Sequence, residues 1–226
     1  MLEVQVKDRA VIGHRANSVY GVPLFVLGLK GISSSRLKWL SLFILAPIKA
    51  FRKMQSKKIL SVEADADRPK EGKYLGRFLK PDICIWVSSA RTHSMNFEHQ
   101  VASGQFNTVD AAIANEFAYF ARYTKELVIT NGDNPDIVHS LKGIKAKVDY
   151  VELDRDIKKY KISKNGASFT AEKTYTFPQP QPPRVGYQVV YMEKFLKYIG
   201  VKPKTSLKDM YIPPGRSRVF KGKKSI

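Results

Sequence analysis

Acidic residues are scarce in this sequence: 20 Asp and Glu stand against 39 Lys and Arg, giving a formal net charge of +19 and a pI near 9.9. An ordinary soluble domain lies much closer to neutrality. The excess therefore points to a polyanionic ligand, nucleic acid or an anionic membrane surface, or else to a general basic bias with no single partner. No zinc-finger spacing, basic-zipper pattern or RNA-motif signature accompanies it, which counts against specific nucleic-acid recognition. Cysteine is nearly absent. Cys84 alone rules out an intrachain disulfide framework and favours a reducing compartment. It falls inside an apolar run and reads as a small core residue rather than a reactive thiol. Long hydrophobic runs are missing too. The most apolar stretch, Leu37 to Phe51, carries Lys38 and Lys49 and is interrupted by Pro47, so it falls short of the roughly 20 apolar residues that span a bilayer. Two readings remain for it: a helix packed on the domain or on a neighbour, or, with Arg36, Arg52 and Lys53 beside it, an amphipathic helix on an anionic membrane surface. Met1 to Ala10 has neither the apolar core nor the small-residue cleavage site of a secretory signal, and a cytoplasmic protein is expected. A Gly-x-x-x-x-Gly-Lys-Ser/Thr loop, whose backbone N–H groups and lysine cradle nucleotide phosphates, occurs nowhere.

What is present is organised around Lys57 to His93, KKILSVEADADRPKEGKYLGRFLKPDICIWVSSARTH. Ile59, Leu60 and Val62 are strand formers that end on Glu63, and Ile83 to Val87 is a short apolar run introduced by Pro81-Asp82. Between them Tyr74, Leu75, Phe78 and Leu79 recur at helical spacing. The pattern predicts a βαβ crossover with both strand ends at one edge of a parallel sheet, the edge where α/β proteins place ligands. Glu63, Asp65 and Asp67 alternate just past the first strand. Such acids are common in strand-end turns, yet magnesium also takes one or two carboxylates with waters and phosphates. His93 follows the second strand; it is either a solvated loop histidine or a metal ligand on the same edge.

Further along, Ala111, Ala112, Ala114, Phe117, Ala118, Phe120 and Ala121 predict a strong helix capped near Asn107 or Thr108. Leu127 to Thr130 predicts a strand that delivers Asn131, Gly132 and Asp133 to the same edge, with Pro135 opening a helix. Val148 to Leu153, Tyr160 to Ser163 and Ser168 to Phe177 read as a strand series forming a small antiparallel sheet, with Asn165-Gly166 as a hairpin turn. The run Pro178 to Pro183 is a stiff connector. A helix follows through Val189, Met192, Phe195, Leu196 and Ile199, stopped by Gly200, and a second short helix is expected over Ser206 to Tyr211.

The segment VEADADRPKEGKYLGRFLKPDICIWVSSARTH resembles the central-domain signature of the ATP-dependent Mur ligases, most like the MurF type. The likeness extends back to NSVYGVPL and forward through ELVITNGDNP to IPPGRSRV. It implies a three-layer α/β central domain over 1–215, with a mainly parallel sheet and a small antiparallel extension, and 216–226 as the start of a linker to a further domain. It also implies that the chain begins after the family's phosphate loop, with Val11 and Ile12 in a strand of the nucleotide-binding sheet.

By that resemblance Glu63 and His93 are catalytic and hold magnesium beside the ATP phosphates. Asn131 would face the adenine, Arg216 would contact the nucleotide, and Asp133 and Asn17 would lie near it; for Asn17 and Asn131 a turn-capping role is the alternative. The implied reaction joins D-alanyl-D-alanine to a UDP-linked muramoyl peptide through an acyl phosphate, an activity not expected of this polypeptide alone. Three departures stand out. Lys70 occupies a position where the family usually has Gly. Ala114, Asn115 and Glu116 replace a Lys-Gly-Glu-like motif, so the lysine that serves a second metal is absent. Tyr187, Gln188 and Tyr191 stand where relatives carry a Gly-x-His-Asn segment and a further Asn. A relative without the ligase chemistry, using its basic surface for a nucleotide-linked precursor, a membrane face or a protein, is the alternative function.

Overall fold

The computed structural model describes residues 1–6, 9–13, 17–29, 35–51, 59–89 and 94–210. Two parallel ladders form its centre. In the first, β1 (Ala10–Gly13) pairs with β2 (Ile59–Val62), Ala10 opposite Ile59 and Gly13 opposite Val62. In the second, β3 (Ile83–Trp86), β4 (Leu127–Asn131) and β5 (Lys147–Val151) run parallel in that order. A third, antiparallel sheet holds β6 (Lys159–Ser163), β7 (Gly166–Thr170) and β8 (Thr174–Phe177). The expected class, α/β with parallel strands and an antiparallel extension, is what the chain adopts.

Helices cover both faces of the parallel strands. On one side α9 (Val185–Tyr198) buries Val189, Met192, Phe195 and Leu196 against Leu127, Ile129 and Val151, and the same core takes in Phe169, Tyr175 and Phe177 of the antiparallel sheet. Its apolar residues recur at three- and four-residue spacing, and Gly200, at φ 66°, lets the chain leave it. On the other side α6 (Val109–Arg122) lays Ala114, Ala118 and Ala121 on Trp86 and Val128, with Ile137 of α7 (Pro135–Ser140) beside them. Thr108 caps α6 as expected: its hydroxyl accepts the Ala111 N–H at 3.1 Å. Cys84 lies within this layer, where burial, partly offset by a hydrogen bond with Thr124, pushes its thiol up to about 12.

The predicted crossover forms, with α4 (Glu71–Leu79) between β2 and β3. It departs from expectation in one respect: among the described residues β2 and β3 share no ladder, since there β2 bonds only to β1 and β3 only to β4. The two ladders nevertheless back onto common cores. Ile59, Ile83 and Ile85 pack with the α9 cluster, while Val62 and Cys84 pack with Leu75 of α4. α4 in turn lies unusually close to α6. A Cβ on Gly72 would meet the Glu116 carbonyl oxygen at 2.2 Å, and one on Gly76 the Tyr119 carbonyl oxygen at 2.7 Å. Only glycine at both positions allows that approach.

Three local readings are corrected. Lys147–Val151 joins β4 in the parallel ladder rather than the antiparallel series, and 153–156 turns into a short helix, α8 (Leu153–Asp156). The hairpin loop is Lys164-Asn165, because Gly166 already pairs with Ser163. Among the described residues no helix follows Ser206; that residue bridges Thr176, extending the antiparallel sheet, and Tyr211 lies outside the described residues. The apolar stretch does form a helix, α3 (Arg36–Ala50), but most of its apolar side chains do not pack on the domain, one of the partners its sequence allowed. Leu42 is its buried large side chain, and Leu37, Leu40, Phe43, Ile44, Leu45 and Ile48 are exposed.

Candidate functional site

Within each parallel ladder the register brings the strand ends to a common edge, and the loops leaving those ends carry the candidate residues. Glu63 follows Val62 directly, where β2 stops, and its side chain is exposed with no intramolecular partner among the described residues. The next acid serves the loop. Asp65 accepts the Ala66 N–H at 2.8 Å on its own carboxylate, and its backbone N–H bonds the Asn17 carbonyl at 2.9 Å. Asn17 thus ties the end of β1 to the end of β2 through its backbone. The Glu71 carboxyl reaches back to the N–H groups of Asp67 and Arg68, at 3.0 and 3.2 Å, and closes the turn into α4. Entry to that helix passes through Lys70 at φ 79°, a left-handed conformation that glycine adopts without strain.

The loops after β2 and β3 meet. Asn96 donates from its side-chain amide to the Asp67 carbonyl at 2.8 Å. His93 lies outside the described residues, as does Arg216. Asn96 stands three positions beyond His93 in the sequence. Sequence reading missed Asn96, since a lone Asn in a short turn carries no periodic or motif signal.

At the end of β4, Asn131 folds its side-chain oxygen onto the Asp133 N–H at 2.8 Å, the turn-forming geometry of an Asx residue. Its amide nitrogen has no hydrogen-bond acceptor among the described residues. The Asp133 carboxylate is engaged: Oδ2 accepts the Leu153 N–H at 2.8 Å and the Tyr187 hydroxyl at 2.5 Å. That oxygen joins the loop after β4 to the start of α8 and to the first turn of α9. Burial and then the Asp133 hydrogen bond push the Tyr187 phenol up to about 12. Tyr187 stacks on Tyr191 with ring centres 6.2 Å apart, and burial raises the Tyr191 hydroxyl further.

Glu116 on α6 is buried and accepts the Lys73 N–H at 3.2 Å. It seats α4 on α6.

The described candidates therefore fall in two groups: Asn17 and Glu63 at the end of the β1–β2 ladder, Asn131 and Asp133 at the end of the β3–β5 ladder. Among the described residues no group of three or more His, Cys, Asp or Glu side chains gathers as a metal centre. The donor chemistry of Glu63 fits magnesium, which needs one or two protein carboxylates and fills its remaining positions with water and phosphate oxygens. For nucleotide phosphates the fit is incomplete, because the sequence carries no phosphate-cradling glycine loop.

No protein-family model matches the sequence, and no curated protein matches it. Solved structures do. The MurF ligase of Thermotoga maritima in complex with ADP superposes over 90% of this chain with a TM-score of 0.59 at 16% identity. A MurF of Acinetobacter baumannii superposes over 88% with a TM-score of 0.61 at 11% identity. The chain covers 43% and 39% of those two proteins, about two fifths of their length. This chain has the MurF-like Mur ligase fold.

Proposed function

We propose that this chain, having the MurF-like fold, is the nucleotide-bearing central portion of an ATP-dependent amide-bond ligase that extends a UDP-linked peptidoglycan precursor with D-alanyl-D-alanine. The observation that carries the reading is the superposition of 90% of this chain on a MurF structure holding ADP, combined with an exposed carboxylate, Glu63, at the mouth of β2. Glu63, with His93, would hold the magnesium ion. Bound there, the ion would neutralise charge on the nucleotide phosphates, the main requirement of phosphoryl transfer. Asn131 would offer its unengaged amide N–H to the base. Asp133 would keep the Asn131 loop in place through Leu153 and Tyr187. Asn17 would hold the Glu63 loop from the β1 side, and Arg216 would contact the nucleotide. Lacking a phosphate loop of its own, a polypeptide of this sequence is expected to release no phosphate from ATP.

A titration with a fluorescent ADP analogue tests the reading. Binding should require magnesium, and Glu63→Ala should weaken it about tenfold. The unfolding midpoint should stay unchanged, because this exposed side chain supports no packing. Equal affinity in Glu63→Ala, or in the presence of a chelator, defeats the assignment. The net charge of +19 favours a second reading, a non-catalytic relative that holds anions on its basic surface. Its mark would be binding that ignores magnesium and falls steeply with salt.

A further inference from the structure

The most exposed apolar surface in the described structure is α3. Leu37, Leu40, Ile44, Ile48 and Phe51 follow one another at three- and four-residue spacing and form one outward stripe, from 57 to 91% exposed. Phe43 and Leu45 widen it on either side, at 68 and 42% exposed, and Leu42 lies on the opposite face at 9%. An amphipathic helix of a soluble domain turns such a stripe inward. Here it points away from the protein. At its margin Trp39 packs edge-on against Tyr20, ring centres 6.2 Å apart, and at a tilt against Phe43, ring centres 6.0 Å apart, and Tyr20 is itself exposed.

The charge around this helix is one-sided. From Val11 to Val62 the sequence has no Asp or Glu and nine Lys or Arg. The acids of the chain lie outside this window, so along the sequence the basic excess is concentrated in the segment that contains α3. The fifteen residues of α3 extend about 22 Å at 1.5 Å per residue, too short for a bilayer core of roughly 30 Å. No helix among the described residues is long and apolar enough to cross a membrane.

From the outward apolar stripe, its Trp and Tyr margin and the acid-free basic segment around it, we infer that α3 docks this protein on an anionic phospholipid surface, lying in the plane of the interface. The apolar side chains enter the acyl boundary and the flanking cations meet the lipid phosphates. Tyr20 and Trp39 occupy the headgroup level, where amphipathic rings concentrate. A second copy of the chain is the poorer occupant, because pairing two α3 faces brings together two acid-free cationic segments. The inference is independent of the ligase reading.

The test is co-sedimentation of the full chain with vesicles of phosphatidylglycerol and phosphatidylcholine in equal parts, against vesicles of phosphatidylcholine alone. At low salt, binding to the anionic vesicles should exceed binding to the neutral ones by about tenfold or more, and high salt should narrow the gap. Trp39 emission should shift to shorter wavelength and be quenched by brominated acyl chains, a reading that needs no variant. Leu40→Glu with Ile44→Glu should reduce binding more than about tenfold. Leu40→Lys with Ile44→Lys, which keeps the charge and removes the apolar contact, should also weaken it. Undiminished binding by the lysine variant means adsorption by charge alone and overturns the proposal. So does absence of vesicle binding with dimerisation that the glutamate variant abolishes, or equally tight binding to polyglutamate.

Discussion

The phenol of Tyr187 donates to Asp133 Oδ2 at 2.5 Å, and the same oxygen takes the Leu153 N–H at 2.8 Å. One carboxylate thereby joins the loop after β4 to α8 and α9. The contact has a pH signature. The Tyr187 phenol is pushed from its ordinary value of 10.0 to about 12, by burial first and then by the Asp133 hydrogen bond. The folded protein then holds that proton more tightly than the unfolded chain does. The contribution is complete below pH 10 and is lost as pH rises from 10 to about 12. Tyr187→Phe should cost about 1 kcal/mol at neutral pH. The difference in urea midpoint between wild type and variant should shrink across that alkaline window. A difference that stays constant there would show that Tyr187 does not titrate with folding.

Lys70 enters α4 at φ 79° and ψ −11°, a conformation that a side chain makes costly. Lys70→Gly should raise stability by up to about 1 kcal/mol, the relief of strain being partly offset by glycine's greater freedom in the unfolded chain. Urea unfolding at neutral pH checks it. A lower midpoint would mean that the Lys70 side chain contributes more than its backbone costs. The same substitution restores the residue usual in the Mur ligases that this turn resembles.

The contrast between these two positions indicates what the sequence made legible. The strand formers ending on Glu63, the helical spacing within α6 and α9, and the Thr108 and Pro135 signals are local patterns, and local geometry follows them. The Asx turn of Asn131 was open to the same reasoning, since its partner is two residues away. Asp133 was not, because its partners lie 20 and 54 residues on. Ladder membership is likewise non-local. Lys147–Val151 has the composition of a strand in either sheet, and only its pairing with β4 decides. α3 admitted two readings for a different reason: an apolar run reads as core unless its surroundings are known, and its stripe faces outward.

Gly72 tests how closely α4 must approach α6. A methyl group there would lie 2.2 Å from the Glu116 carbonyl oxygen, a backbone atom that cannot swing aside as a side chain can. Gly72→Ala should therefore push the two helices apart and strain the Lys73 N–H bond to Glu116, 3.2 Å in the native structure. Overpacking of this kind costs about 1–3 kcal/mol. A thermal melt compared with that of an exposed-site control, Gly104→Ala, separates crowding from strain. Gly104 also has a positive φ, of 74°, but nothing lies within 4 Å of its added carbon. If the two variants lose equal stability, the close helix approach is not what requires glycine at position 72.

Glu193 makes the most heavily used side-chain contact between α9 and the antiparallel sheet. Its carboxyl oxygens accept the backbone N–H groups of Glu172 at 3.1 Å and Lys173 at 2.8 Å, and the Tyr175 hydroxyl at 2.9 Å, in a site that leaves Glu193 only 7% exposed. The turn between β7 and β8 is thus closed by a residue on a helix some 20 positions away. Glu193→Gln keeps the shape but turns one acceptor oxygen into an NH2 group facing a donor. The loss should be about 1–3 kcal/mol, the range for a buried donor left without a partner. Tyr175→Phe removes one donor and leaves Glu193 bonded to both backbone N–H groups, so it should cost less. Urea unfolding of the two single variants and the double variant checks the network. Because Tyr175 and Glu193 share a bond, the double variant should lose less than the sum of the singles. Strict additivity would mean that the tyrosine and the carboxyl group act on the fold separately, and that the turn is held by its backbone bonds alone.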